Sequence, residues 1–257
     1  MSVLSALLEA SRSGGVEIVD LTTPLQESTP VLQLPEPFAN TSGFRLEEIS
    51  RYDDRGPAWY WNDIHTGEHV GTHLDAPNHW VTGRDGADVS QAPLQTMIAP
   101  AAVLDVTAAV AQDPDFLLEV DHVRAFEAEY GPLPDGGWLL LRTGWESRGG
   151  SQEEFLNTDD AGPHTPGVSA ECARWIAEES PVAGFGVETV GTDAGGAAGF
   201  DPPFACHHFL MGAGKWGLTS LRNLGELPPQ GAVLVVCPLP IVGGSGSPAR
   251  VLALVER

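Results

Sequence analysis

Residues 69–79 read HVGTHLDAPNH and gather three histidines and an aspartate into one short stretch. His69, His73 and Asp75 offer two borderline nitrogen ligands and one hard oxygen ligand, a set suited to Zn²⁺, Mn²⁺ or Fe²⁺. His79 is then left to move protons, a task suited to an imidazole because its ordinary pKa lies near ~6.5.

The local structure under these residues decides whether they can act together. A spacing of four between His69 and His73 is compatible with one helix face, but Gly71 and Thr72 are poor helix-interior residues and Pro77 would break the turn. His65, Gly67, His69, Gly71, His73, Asp75 and His79 instead all fall on odd positions, the alternating register of a strand. The register predicts one strand face that presents His65, His69, His73 and Asp75, with Gly67 and Gly71 leaving room for an ion. Pro77 ends the ladder and lets His79 approach from a turn. Isolated histidines such as His122 and His164 are expected to be ordinary satisfied or solvated side chains.

The pattern H-x-G-T-H-x-D-x-P-x-H is complete here, and through it the chain resembles the metal-dependent cyclase or kynurenine formamidase-like superfamily, with its isatin hydrolase-like relatives. Further similar pieces are VDLTTP at 19–24, HTPGVS at 164–169, GVETVGTD at 186–193, the pair His207 and His208, and GSPAR at 246–250. The resemblance implies an α/β, swivelling β/β/α cyclase-like domain spanning residues 1–257, with a mixed sheet and flanking helices. It makes His69, His73 and Asp75 metal ligands and His79 the catalytic acid or base. His207 is expected near the site as a second proton handler or substrate contact, and the chain is expected to form a homodimer or larger homo-oligomer. Formamidase-like members with two zinc ions take extra ligands from a downstream histidine and from the glutamate of a Glu-Asn-Leu segment. The segment here is Arg222-Asn223-Leu224, and a guanidinium has no acceptor with which to ligate a cation, so one Mn²⁺ or Zn²⁺ per chain is expected.

The chemistry implied is metal-dependent hydrolysis of a small amide, cyclic imide, lactone or aryl formamide. The ion would polarise the carbonyl and bring the pKa of bound water down toward ~7, while His79 takes the water proton and delivers it to the leaving atom. A lyase or cyclase using the same ion to stabilise an enolate is the alternative, as is a noncatalytic metal or small-ligand-binding protein. No Gly-x-Ser-x-Gly elbow supports a serine hydrolase.

The rest of the chain must position these groups. Leu4, Leu7 and Leu8 predict a short amphipathic helix over residues 2–11, stopped by Gly14 and Gly15. Strands are expected at 16–21, 44–50, 101–106, 138–145, 183–189, 231–241 and 251–255, with WLLLRTGW central. Helices are expected from Asp113-Pro114 to Tyr130 and from Ser169 to about Glu179, with a helix or turn at 206–211. The Pro-rich segment 23–40 is expected to be extended, either covering the pocket or forming a surface arm. Trp59, Trp61, Trp80 and Phe38 are candidates for an aromatic wall against a planar substrate; core or interface packing is the other reading of Trp59-Tyr60-Trp61. The glycine-rich loop VGTDAGGAAGFDPPF lacks the Lys-Ser or Lys-Thr ending of a phosphate-binding loop and is expected to shape a pocket. Arg142 is read either as a carboxylate binder or as half of a structural ion pair.

Composition limits the partners. Thirteen basic against 35 acidic residues give a formal charge of -22, which repels nucleic acid and anionic membranes and leaves a small molecule as the expected partner. An apolar content of 42% can fill a substantial core. Cys172, Cys206 and Cys237 are odd in number and scattered, which predicts buried free thiols rather than a disulfide framework. With neither a leader-like start nor a long apolar run, a cytoplasmic protein is expected.

Overall fold

A computed structural model describes residues 1–257. The strands are β1 Val16–Asp20, β2 Arg45–Asp53, β3 Gly56–His65, β4 His73–Asp75, β5 Ile98–Asp105, β6 Leu117–Leu118, β7 Trp138–Arg142, β8 Thr158–Asp159, β9 Gly162–Pro163, β10 Gly167–Val168, β11 Gly184–Val187, β12 Trp216–Thr219, β13 Ala232–Pro238 and β14 Gly246–Glu256. The helices are α1 Val3–Ser13, α2 Leu94–Met97, α3 Thr107–Val110, α4 Val120–Tyr130, α5 Gln152–Leu156, α6 Ala170–Glu178 and α7 Ala205–Gly212.

The main sheet runs β1-β14-β13-β5-β7-β11-β12-β4, and β4 also pairs with the start of β14, so the sheet curls round and closes like a barrel. Strands β5, β7, β11 and β12 are mutually parallel, and the remaining pairings are antiparallel. This is the mixed sheet with flanking helices of a swivelling β/β/α cyclase-like domain.

The unbroken apolar run 138–141 follows from this geometry. Trp138 and Leu140 point into an all-sheet core together with Ala101, Val103, Leu218, Leu234 and Val251. Leu139 and Leu141 point the other way, onto Val123 and Phe126 of α4 and Cys172 and Ile176 of α6. Successive strand residues face opposite sides, so a central strand covered on both sides is apolar at every position. Each of these leucines is fully buried and contributes about 1.5–3 kcal/mol of transfer free energy.

Several expectations change. The helix expected from Asp113 starts only at Val120, because Leu117–Leu118 pairs in parallel with Gly167–Val168 and draws the preceding residues out of the helix. The helix α1 forms as read, yet none of its residues is buried. Cys172 and Cys206 are buried, but Cys237 is exposed at a strand edge where its neighbours alternate inward. Arg142 pairs with Asp105, its register partner on β5, at 2.6 Å, which is the structural reading of that residue. Of the Pro-rich segment, Thr29, Pro30 and Val31 are buried against the body, with Gln152 clamping the Val31 backbone at 2.8 and 2.6 Å, while 32–42 is exposed.

The segment 65–79 departs most from the sequence reading. Beyond the end of β3 at His65 only His73–Asp75 is a strand; 66–67 is irregular, 68–72 is a run of bends, and Pro77–His79 is a 3-10 turn. His65 ends β3 and pairs with Glu47 at 2.9 Å, away from the other histidines. Gly67 and Gly71 do not clear space for an ion either. A Cβ on Gly67 would strike Thr41, and Gly71, at φ 62°, lies against Leu25.

Candidate metal centre

Strand β4 is three residues long, entered from a run of bends and followed by the 3-10 turn that opens at Pro77. Leu74 points into the sheet core, so His73 and Asp75, one residue to either side, point to the opposite face. Asp75 stands in register with Gly217 on β12 and with Gly246 on β14. A Cβ on Gly217 would lie 2.9 Å from Asp75 Oδ2, and one on Gly246 would lie 2.5 Å from His69 Cε1. The room for the cluster is therefore made by two glycines far along the chain.

Asp75 is the centre of the group and is almost fully buried. Its Oδ1 lies 2.8 Å from His69 Nδ1 and 3.3 Å from His73 Nε2. The donor atoms of His69, Asp75 and His79 lie within 4.8 Å of one another. The His79 ring packs on that of His69 with centroids 4.0 Å apart, and His73 meets His69 edge-on at 5.2 Å. His73 Nδ1 donates to the Gly71 carbonyl at 2.7 Å, so Nε2 carries the lone pair that faces Asp75. Thr219 Oγ1 sits 3.0 Å from that same Nε2 and 2.9 Å from Nδ1. His69 Nε2 is 2.9 Å from Ser245 Oγ, which in turn donates to Glu68 at 2.6 Å.

Charge follows geometry. Burial by itself would raise the Asp75 pKa, but His73 and His69 outweigh it and hold the carboxyl well below the usual range. His79 is pushed down to about 4 by burial, reinforced by His69, His207 and His73 against the pull of Asp75, so it is neutral at physiological pH. This donor set fits a divalent cation. A buried carboxylate grouped with imidazole nitrogens is a set of lone-pair donors that a divalent cation would pair. The 3.3 Å separation of His73 Nε2 from Asp75 Oδ1 also falls within the about 2.9–3.5 Å expected between neighbouring ligand atoms on metal bonds of ~2.0–2.2 Å.

The α7 end of the site holds a second group. His207 lies 5.5 Å from His79 and 4.9 Å from Trp80, ring centre to ring centre, and Phe204 meets Trp80 at 5.7 Å. The His207 Nδ1 is 2.5 Å from Asp193 Oδ2. Burial works against a charged His207, and Asp193 overcomes it, so its pKa is raised. His208 turns away and packs on Phe209.

The structure thus brings His69, His73, Asp75, His79, His207 and Trp80 together. It leaves Trp59, Trp61 and Phe38 outside this cluster, 49, 54 and 64% exposed. Arg222 lies beside Leu21 and forms no ion pair; the 222–224 segment adds no carboxylate to the cluster. Gly217, Gly246, Thr219, Ser245, Asp193 and Phe204 were not singled out from sequence. Of these, Phe204 and Asp193 lay in the glycine-rich loop already marked, Asp193 also closes GVETVGTD, and Gly246 opens the GSPAR piece; Gly217, Thr219 and Ser245 lay in no marked stretch.

A closed mixed sheet with a His-and-Asp cluster on and beside its closing strand defines a protein able to hold a divalent cation there. Residues 19–194 match the putative cyclase family, and the chain belongs to that family. It is 45% identical over 259 residues to the isatin hydrolase of Roseibium aggregatum, covering 100% of this chain and 98% of the relative. It superposes with a TM-score of 0.96 on isatin hydrolase A from Ralstonia solanacearum, at 47% identity and covering 100% of this chain and 98% of that one. An isatin hydrolase solved with the product analogue thioisatinate gives the same TM-score of 0.96 at 44% identity, with both chains fully covered. No helix is long and apolar enough to cross a membrane.

Proposed function

We propose that this protein opens a planar aromatic lactam of the isatin kind by adding water across its ring amide. A C–O bond forms at the carbonyl, the C–N bond breaks, and the products are a carboxylate and a free aromatic amine. The observation that carries this reading is the buried Asp75 carboxylate facing the His73 Nε2 lone pair at 3.3 Å beside a neutral His79.

His69, His73 and Asp75 would hold one divalent ion, Mn²⁺ or Zn²⁺, and the Gly71 carbonyl keeps His73 in the tautomer that would ligate it. The ion supplies Lewis acidity toward the carbonyl and makes water more acidic. His79, neutral at working pH, accepts the proton of the attacking water and passes it to the leaving nitrogen. Trp80, with Phe204 and His207 against it, gives the planar ring a face to stack on and keeps bulk water away.

The protein works as a homodimer of single-domain chains. Ribbon β2–β3 exposes Leu46, Tyr52, Trp59, Tyr60, Trp61 and Ile64. Since Trp59 and Tyr60 point to opposite faces, neither side is covered by its own chain, and a lone two-stranded ribbon is marginal in water. A second copy covers it, and across that contact Trp59, Trp61 and Phe38 add to the wall around the substrate. The three free cysteines accord with a reducing, cytoplasmic setting.

The test is ring opening of isatin, followed by its absorbance, with protein stripped by a chelator and reloaded with Mn²⁺ or Zn²⁺ one at a time in ¹⁸O-water. Turnover restored by one ion, with ¹⁸O in the carboxylate, is expected. Equal turnover by the stripped protein, or product without ¹⁸O, overturns the reading.

A further inference from the structure

The glycine-rich loop carries a device that the proposed reaction leaves unexplained. Helix α7 begins at Phe204, whose backbone sits at φ 53° and ψ 55° and whose side chain caps nothing. The first N–H groups of that helix still need acceptors. Asp193 supplies them from the loop: Oδ1 accepts from Cys206 N at 2.7 Å and Oδ2 from His207 N at 3.3 Å. The same Oδ2 meets His207 Nδ1 at 2.5 Å. Thr192 Oγ1, at 3.4 Å from that nitrogen, is a distant competitor.

Both Asp193 oxygens already accept from backbone N–H groups, so toward the ring Oδ2 again serves as the acceptor. His207 must therefore carry its proton on Nδ1, and Nε2 is the nitrogen left for other partners. The ring is fixed on one edge by Asp193 and on its face by Trp80, at 4.9 Å and 35° between planes. We propose that Asp193 is a positioning residue: it locks His207 in the Nδ1–H tautomer and presents Nε2 to the substrate beside His79. This inference rests on the hydrolase reading for its substrate and on the Asp193–His207 geometry for everything else. Of the loop's glycines only Gly195 is required by a close approach; Gly191, Gly196 and Gly199 have open space around them. A Cβ on Gly195 would lie 2.2 Å from the Pro163 carbonyl oxygen.

Asp193→Asn keeps the shorter cap and changes the contact to the ring. The amide oxygen can keep the 2.7 Å bond from Cys206 N, while the amide NH₂ gives up the long 3.3 Å cap at His207 N and faces Nδ1 as a donor, which favours the Nε2–H tautomer. In ¹⁵N-histidine spectra of the metal-free protein, His207 is expected to show the Nδ1–H pattern in the wild type and the Nε2–H pattern in Asp193→Asn. With isatin as substrate and metal loaded, kcat is expected to fall at least about 100-fold and KM to stay within about 3-fold, as for a wrong-tautomer defect. His207→Ala should lose as much, and Asp193→Asn in that background should lose nothing more. An unchanged tautomer in Asp193→Asn, or losses that multiply in the double variant, overturns the proposal. A wild type that hydrolyses neither isatin nor any cyclic imide overturns the hydrolase reading instead; the spectra then decide the positioning claim alone.

Discussion

Replacing Gly246 by alanine tests whether the closure of the sheet is what builds the metal centre. Gly246 does not adopt a positive φ, so alanine suits its backbone and is opposed only by contact. The new Cβ would lie 2.5 Å from His69 Cε1 and 2.7 Å from the Leu74 carbonyl oxygen. The carbonyl belongs to β4, and Gly246 is in register with Asp75 there, so the ring has to give way. Restoring a carbon contact of about 3.5 Å moves the His69 ring by about 1 Å. The bond of 2.8 Å to Asp75 then opens toward about 3.8 Å, beyond hydrogen-bonding range. Overpacking of this kind costs about 1–3 kcal/mol, offset by the about 0.4–1 kcal/mol that Gly→Ala gains by restricting the unfolded chain. A misplaced ligand weakens metal affinity by about 10–100-fold. Calorimetric titration of stripped protein with Mn²⁺ and Zn²⁺, beside thermal unfolding of the same samples, reads both effects. Gly196→Ala, where a Cβ meets nothing within 4 Å, is the control and should leave metal affinity unchanged and Tm unchanged or slightly raised. Wild-type affinity and Tm in Gly246→Ala would refute the claim that these two glycines clear the site.

Three further outcomes are expected. His79→Ala should keep its metal by elemental analysis while kcat falls at least about 100-fold; loss of the ion would instead make His79 a ligand. Glu188 is fully buried, with Oε2 accepting from Thr143 N, Thr143 Oγ1, Gly144 N and Trp145 N and Oε1 without a partner. Burial raises its pKa against those bonds, so its contribution is intact at low pH and declines as pH climbs past the ordinary carboxylate range. The Tm of Glu188→Gln relative to wild type should therefore rise between about pH 4 and 8, and a flat or falling difference would contradict the assignment. Trp59→Ser combined with Trp61→Ser should shift the protein from dimer to monomer in light scattering without unfolding it; a dimer that persists would show that the ribbon is not the interface.

Much of the chemistry was legible in the sequence because it is local. HVGTHLDAPNH contains the side chains that gather in the cluster, and the patterns at 138–141 and 169–178 mark a central strand and an amphipathic helix through side-chain alternation and a serine cap that need no distant partner. The same locality misled the reading of 65–72. Odd-numbered residues do share a strand face, but only where a partner strand exists, and between β3 and β4 there is none; His65 went to Glu47 and His69 reached Asp75 from a bend.

What the sequence by itself determined was the donor set, the alternation of the central strands and the unsuitability of Arg222 as a ligand, all properties of residue type and spacing. The tertiary structure decided which glycines make the room, which histidine is held by Gly71 and which by Asp193, and which aromatics stand beside the cluster. Those depend on contacts between segments far apart in the chain, such as Asp75 in register with both Gly217 and Gly246, and such contacts exist only once the sheet has closed.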